Sequence, residues 1–143
     1  MSATAMFWPM LGMATLTAVA WAVMGRRRQA ALQGKEMRLD DFSGRGEVPM
    51  TAPVSVSTRH FANHFEVPLL FHVIGAVHLA LGVASVFAVA VGWGFVLLRA
   101  LHMREHLGRN RIMTRFNLYV ASTALMWLLW LHLAAQLLLG GRA

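Results

Sequence analysis

Uncharged apolar stretches alternate with short polar ones along the chain, and the lengths of the stretches decide what they are. Met1 to Gly25 carries no charge, and a helix of that length crosses the roughly 30 Å hydrocarbon core of a bilayer, for which about 20 residues suffice. From Gly25 to Thr58 the sequence turns polar and turn-rich, with Gly34, Gly44, Gly46, Pro49 and Pro53, which predicts a connecting loop rather than a second domain. Val67 to Leu98 is again free of charge and too long for one crossing, so two helices are expected to meet near Gly82. Each is prolonged by a polar stretch, Arg59 to Glu66 before and Arg99 to His106 after. Gly108 offers the next break, and Phe116 to Gly141 is the last charge-free run. The pattern predicts an all-α integral membrane protein, a single domain over residues 1-143 with spans at 4-25, 60-81, 83-106 and 112-139 and a polar loop at 26-58.

Composition supports this reading: with 57% hydrophobic and 13% charged residues, the chain has too little polar surface to cover a soluble fold. The net charge of +7 does not point to nucleic acid, because the basic residues flank apolar runs instead of interleaving with aromatics in a patch. They collect in Arg26 to Arg59 and in Arg99 to Arg115. In a four-span protein these two stretches share a side, and the tendency of basic loops to stay inside makes loops 26-58 and 104-111 cytoplasmic and leaves both termini outside. A cleaved signal peptide is the alternative for the first span, with Ala18-Val19-Ala20 or Ala20-Trp21-Ala22 as cleavage sites. Its charge, however, follows the apolar run as Arg26-Arg27-Arg28 instead of preceding it. With no cysteine the chain has no disulfide and no thiol chemistry of its own, so any thiol must arrive with a ligand.

Three polar constellations stand beside the apolar runs. Arg59, Asn63 and Glu66 are spaced i, i+4 and i+7, which puts them on one helical face. Glu66 borders the apolar run, where an ionised carboxylate needs a partner inside the bundle, unless the group simply marks a helix end at the water interface. Arg99, His102, His106 and Asn110 form a second stripe if the helix continues past Gly108. Arg115, Tyr119 and Ser122 form a third. Arginines arranged this way suit an anionic ligand, since a guanidinium offers a fixed fork of donors to a carboxylate or phosphate. For Arg104, Arg109 and Arg111 contact with lipid headgroups is the simpler reading.

The seven histidines raise the question of metal or haem. His102 and His106 are spaced to chelate, but no acid lies at ligand spacing on their helix and three flanking arginines would repel a cation. Of the intramembrane candidates His72, His78 and His132, the first two point to different sides of one helix, so at most one can meet His132. No metal or haem is expected. His64, beside Asn63, can be either a ligand contact or a polar residue at the interface. Asp40 and Asp41 are the only aspartates and lie in the loop, so no Ser-His-Asp arrangement can form.

The run Arg59-x-x-x-Asn63-x-x-Glu66-x-Pro68 resembles the second-helix signature of the MAPEG family, membrane-associated proteins in eicosanoid and glutathione metabolism. Arg99-x-x-His102-x-x-x-His106-x-x-x-Asn110-x-x-x-x-Arg115 resembles the third-to-fourth-helix signature of its bacterial members. The resemblance implies a left-handed four-helix bundle in a bacterial inner membrane, assembled as a homotrimer with sites between subunits. It also implies glutathione as co-substrate, its thiolate attacking small lipophilic electrophiles or reducing lipid hydroperoxides. By position, Arg59, Asn63, Glu66, Arg99, His102, His106, Asn110 and Tyr119 would bind glutathione and Arg115 would stabilise its thiolate. His102 and His106 depart from the family pattern, standing where well-studied eukaryotic members have tyrosines. The competing reading is a non-enzymatic scaffold or anionic-lipid-binding protein that keeps the fold and uses the same arginines for headgroups.

Overall fold

The computed structural model describes residues 4–42 and 50–140, and all regular structure in them is helical. Helix α1 spans Phe7–Gln33, α2 Ala52–Ala62, α3 Val67–Leu81, α4 Val86–Leu107 and α5 Ile112–Leu138, with short 3-10 turns at Leu39–Phe42 and Asn63–Phe65. Helices α2 and α3 follow one another as one long apolar element, so among the described residues four helices are long and apolar enough to cross a membrane. Gly44, Gly46 and Pro49 of the expected loop, and Arg142, lie outside the described residues.

The breaks fall where the residues require them. Gly82 closes α3 in the left-handed region (φ 65°), which a residue without Cβ enters at no steric cost. Ser85 then caps α4, its Oγ accepting from the Ala88 N–H at 3.1 Å. Gly108 ends α4. Asn110 turns the chain in the left-handed region (φ 52°) before α5, a conformation that asparagine tolerates better than most residues.

Two boundaries differ from the sequence pattern. The polar loop expected at 26-58 is helical at both ends, because α1 continues to Gln33 and α2 begins at Ala52. The arginines there are structural donors as well as topology charges. Arg27 donates to the Leu107 carbonyl at 2.8 Å, an acceptor left free by the end of α4, and to the Pro53 carbonyl in the first turn of α2 at 3.2 Å. Arg28 donates to Thr58 Oγ1 at 3.3 Å and lies 5.3 Å over the Phe42 ring. These contacts also place the end of α1, the start of α2 and the end of α4 together, so both polar connections lie at one end of the bundle. The second difference is the 3-10 turn Asn63–Phe65, followed by Glu66 with φ −101° and ψ −107°. Pro68 in the first turn of α3 lacks an N–H, so the long element bends where the sequence pattern allowed a continuous helix.

The core occupies the half away from these connections. Phe71 and Phe95 stack with centroids 4.3 Å apart, surrounded by Met6, Met13, Ile74, Ala88, Met126, Leu129 and Leu133, all buried. Close approach of α1 to α3 depends on Gly75, where an added Cβ would stand 2.6 Å from Met10 Sδ. Outward-facing Trp8, Trp21, Leu97, Trp127, Leu131 and Leu138 are exposed, as expected of side chains whose solvent is lipid. His78 and His132 meet in this half with rings stacked 6.4 Å apart, and one nitrogen of each has a partner, whereas His78 Nε2 is buried without one. His78 Nδ1 is 2.9 Å from the Ile74 carbonyl, and His132 Nε2 is 3.0 Å from Ser85 Oγ.

Candidate functional site

At the polar end, the bend in the α2–α3 element and the turn at Asn110 leave a cavity of about 730 Å³ between α2, α4 and α5, well within the range of small-molecule sites. Its walls carry Arg59, Asn63 and Glu66 from the α2–α3 element, His102 and His106 from α4, and Asn110, Arg115 and Tyr119 from the turn and α5. Val56, Ala62, Ile112 and Phe116 are its apolar lining.

Of the residues assigned to glutathione and its thiolate, Arg99 alone is not on the wall. It lies behind it, 2% exposed, with Nη2 donating to the Asn63 carbonyl at 3.2 Å and its guanidinium 5.7 Å from the Tyr119 ring centroid. Its Nη1 is buried without a hydrogen-bond partner. Among the described residues Arg99 makes no ion pair, exposed Glu66 acting on its charge only from a longer distance; a buried guanidinium with an unmatched N–H is costly, and an anion bound beside it would offset that cost.

The remaining expectations are met in part. Arg59, Asn63 and Glu66 do not form one continuous helical stripe, because the 3-10 turn intervenes; the bend nevertheless keeps all three on the cavity. Glu66 makes no contact ion pair: it is exposed, acts on buried Arg99 only from a longer distance, and the one ion pair among the described residues is Arg111 with Glu105 at 3.2 Å. Asn110 does not extend the α4 stripe. It lies beyond the helix end, and its Oδ1 accepts from Arg115 Nη1 at 2.8 Å, so it orients the arginine. Ser122 leaves the third stripe for the core, donating to the Tyr119 carbonyl at 2.8 Å. Arg59 is tied to its own helix through Ser55 Oγ at 2.7 Å.

Sequence reasoning missed His60. It is 1% exposed and sits among the rings of His64, His102 and His106, with centroids at 5.0, 5.7 and 5.0 Å. His64, left open between two roles, is buried with Nδ1 2.9 Å from Thr17 Oγ1 on α1. The available signal was a pair of i, i+4 histidine couples, His60 with His64 and His102 with His106, on neighbouring helices.

Apolar helices around a polar cavity at one end define an integral membrane protein with a ligand-sized cleft. The MAPEG family model matches residues 5–135, and the chain belongs to the MAPEG family. No curated protein and no solved structure matches it.

Proposed function

We propose that the protein is a homotrimer of a bacterial inner membrane that binds glutathione in this cleft and uses its thiolate against lipophilic electrophiles or peroxides, with the polar connections on the cytoplasmic side. The observation that carries the reading is the buried Arg99, one of whose N–H groups lacks a partner, behind a cavity lined by Arg59 and Arg115. Glutathione brings two carboxylates and one ammonium. The arginines suit the carboxylates, and Glu66, the one acid on the wall, suits the ammonium. Family membership supports the fold and the membrane setting; the chemistry rests on the residues.

Arg115 would act on the thiol. A guanidinium beside a sulfur favours the charged form and so raises the thiolate fraction at neutral pH. Asn110 holds that guanidinium from the side. The thiolate would attack the electrophilic carbon of a substrate arriving from the bilayer, forming a carbon–sulfur bond while the leaving group departs with its electron pair. Exposed Glu66, Arg59 and Phe116 give the cleft an open side that a neighbouring subunit would cover. Binding of glutathione to the purified protein tests the reading. Saturable binding that other small anions do not match is expected, whereas affinity that follows lipid charge with no preference for glutathione would favour the scaffold or lipid-binding alternative.

A further inference from the structure

Three of the four buried histidines at the polar end, His64, His60 and His106, hold one another in a directed chain. Thr17 Oγ1 donates to the Met13 carbonyl at 3.2 Å, so towards His64 it is an acceptor, and His64 Nδ1 donates to it at 2.9 Å. A neutral imidazole has one N–H, which leaves His64 Nε2 as the acceptor of the N–H on His60 Nε2, 3.3 Å away. His60 Nδ1 is then a bare lone pair and receives the N–H of His106 Nδ1 at 3.2 Å. His102 stands beside them, 2% exposed, with its Nδ1 buried and unpartnered. One ring nitrogen from each of His60, His102 and His106 lies within 4.8 Å of the others.

From this geometry we infer that His60, His102 and His106 form a binding site for a zinc ion. The chemistry of the donors selects the class of metal: three imidazoles, with no carboxylate or carbonyl oxygen among them, suit a late first-row dication and not calcium or magnesium. A tetrahedral zinc with bonds of about 2.0–2.1 Å holds its ligand nitrogens about 3.3 Å apart. His60 Nδ1 and His106 Nδ1 already stand at 3.2 Å, and the third nitrogen closes its gap by rotation of side chains. His60 is prepared for the role, because its Nδ1 lone pair is set by the Nε2–H bond to His64, which Thr17 anchors in turn; partners of this kind orient metal-ligating histidines generally. Binding moves the His106 proton from Nδ1 to Nε2, so that each of these ligands remains a neutral imidazole. His102 and His106 also line the cavity, which supplies the ion's fourth position from that side.

The arginines that seemed to exclude a cation from the His102–His106 pair are arranged differently from their order in the chain. Arg104, Arg109 and Arg111 are exposed, and Arg111 is paired with Glu105. Arg99 and Arg115 remain close, and their charge favours an anionic fourth ligand, a hydroxide or a thiolate, over a neutral one. The site stands whether or not glutathione binds.

The test uses untagged protein in detergent, stripped with a chelator and dialysed against zinc ion in the absence of glutathione. One zinc per chain is expected, with the cobalt-substituted protein showing the intense visible absorption of a four-coordinate nitrogen-ligated ion. His60→Ala and His102→Ala should each weaken zinc binding by at least about 100-fold, more than a supporting residue would, while His72→Ala, away from the cluster, leaves it unchanged. Should either alanine variant fail to fold, His60→Gln replaces it, and the cobalt spectrum of the wild type decides without any variant. Absence of stoichiometric zinc, a six-coordinate cobalt spectrum, or equal loss in His72→Ala would overturn the assignment.

Discussion

The two ends of the bundle both bury histidine, and they surround it differently. In the apolar half His78 Nδ1 leans on the Ile74 carbonyl of its own helix and His132 Nε2 on the Ser85 hydroxyl of a neighbouring one, while His78 Nε2 is buried without a partner. At the polar end His60, His64 and His106 bond chiefly to one another, His102 Nδ1 and Arg99 Nη1 have no partner, and a cavity opens beside them. Buried polar groups in native proteins are usually satisfied. Both ends nevertheless leave a buried imidazole nitrogen unpartnered, His78 Nε2 and His102 Nδ1, and what sets the polar end apart is a buried guanidinium beside clustered histidines and a cavity.

Substitutions break that contrast in order of size. Arg115→Ala should have the largest effect, lowering kcat/KM of the proposed conjugation by about 100-fold, the scale of removing one preorganised charge-stabilising donor, with the oligomeric state unchanged by analytical ultracentrifugation. At the other end Phe71→Ala removes a ring from the stack with Phe95. Because transfer from lipid contributes little in a bilayer, the cost is chiefly the void, about 2 kcal/mol in detergent unfolding, and glutathione affinity should not change. Thr17→Val deletes the anchor of the histidine chain and should weaken zinc binding by about 10-fold, read by competition with a chromophoric chelator, with little change in fold. Ser85→Ala, which removes both the α4 cap and the His132 contact, should cost about 1 kcal/mol of stability and leave ligand and metal binding alone.

Much of the architecture was legible because the lengths of charge-free runs follow bilayer thickness, and Gly82 and Gly108 interrupt helices for local reasons. Most of the cavity lining was legible too, since Arg59, Asn63 and Glu66 lie next to one apolar run and His102, His106 and Arg115 next to two others. What stayed hidden depends on contacts between helices. Arg27 prolongs α1 by bonding carbonyls of α2 and α4, and nothing in its own neighbourhood announces them. His60 gains its meaning from His102 and His106 on another helix, whereas spacing along its own element pairs it only with His64. Asn110 was placed on a helical stripe because its φ of 52° belongs to a turn that spacing cannot reveal.

The measurement closest to the central claim is the ultraviolet absorbance of the glutathione thiolate on titrating glutathione into the purified protein at neutral pH, wild type beside Arg115→Ala. Saturable thiolate formation in the wild type and its loss in the variant are the predicted result. If no absorbance develops at millimolar glutathione although the protein is folded, the arginine-lined cleft is not a thiol-activating site.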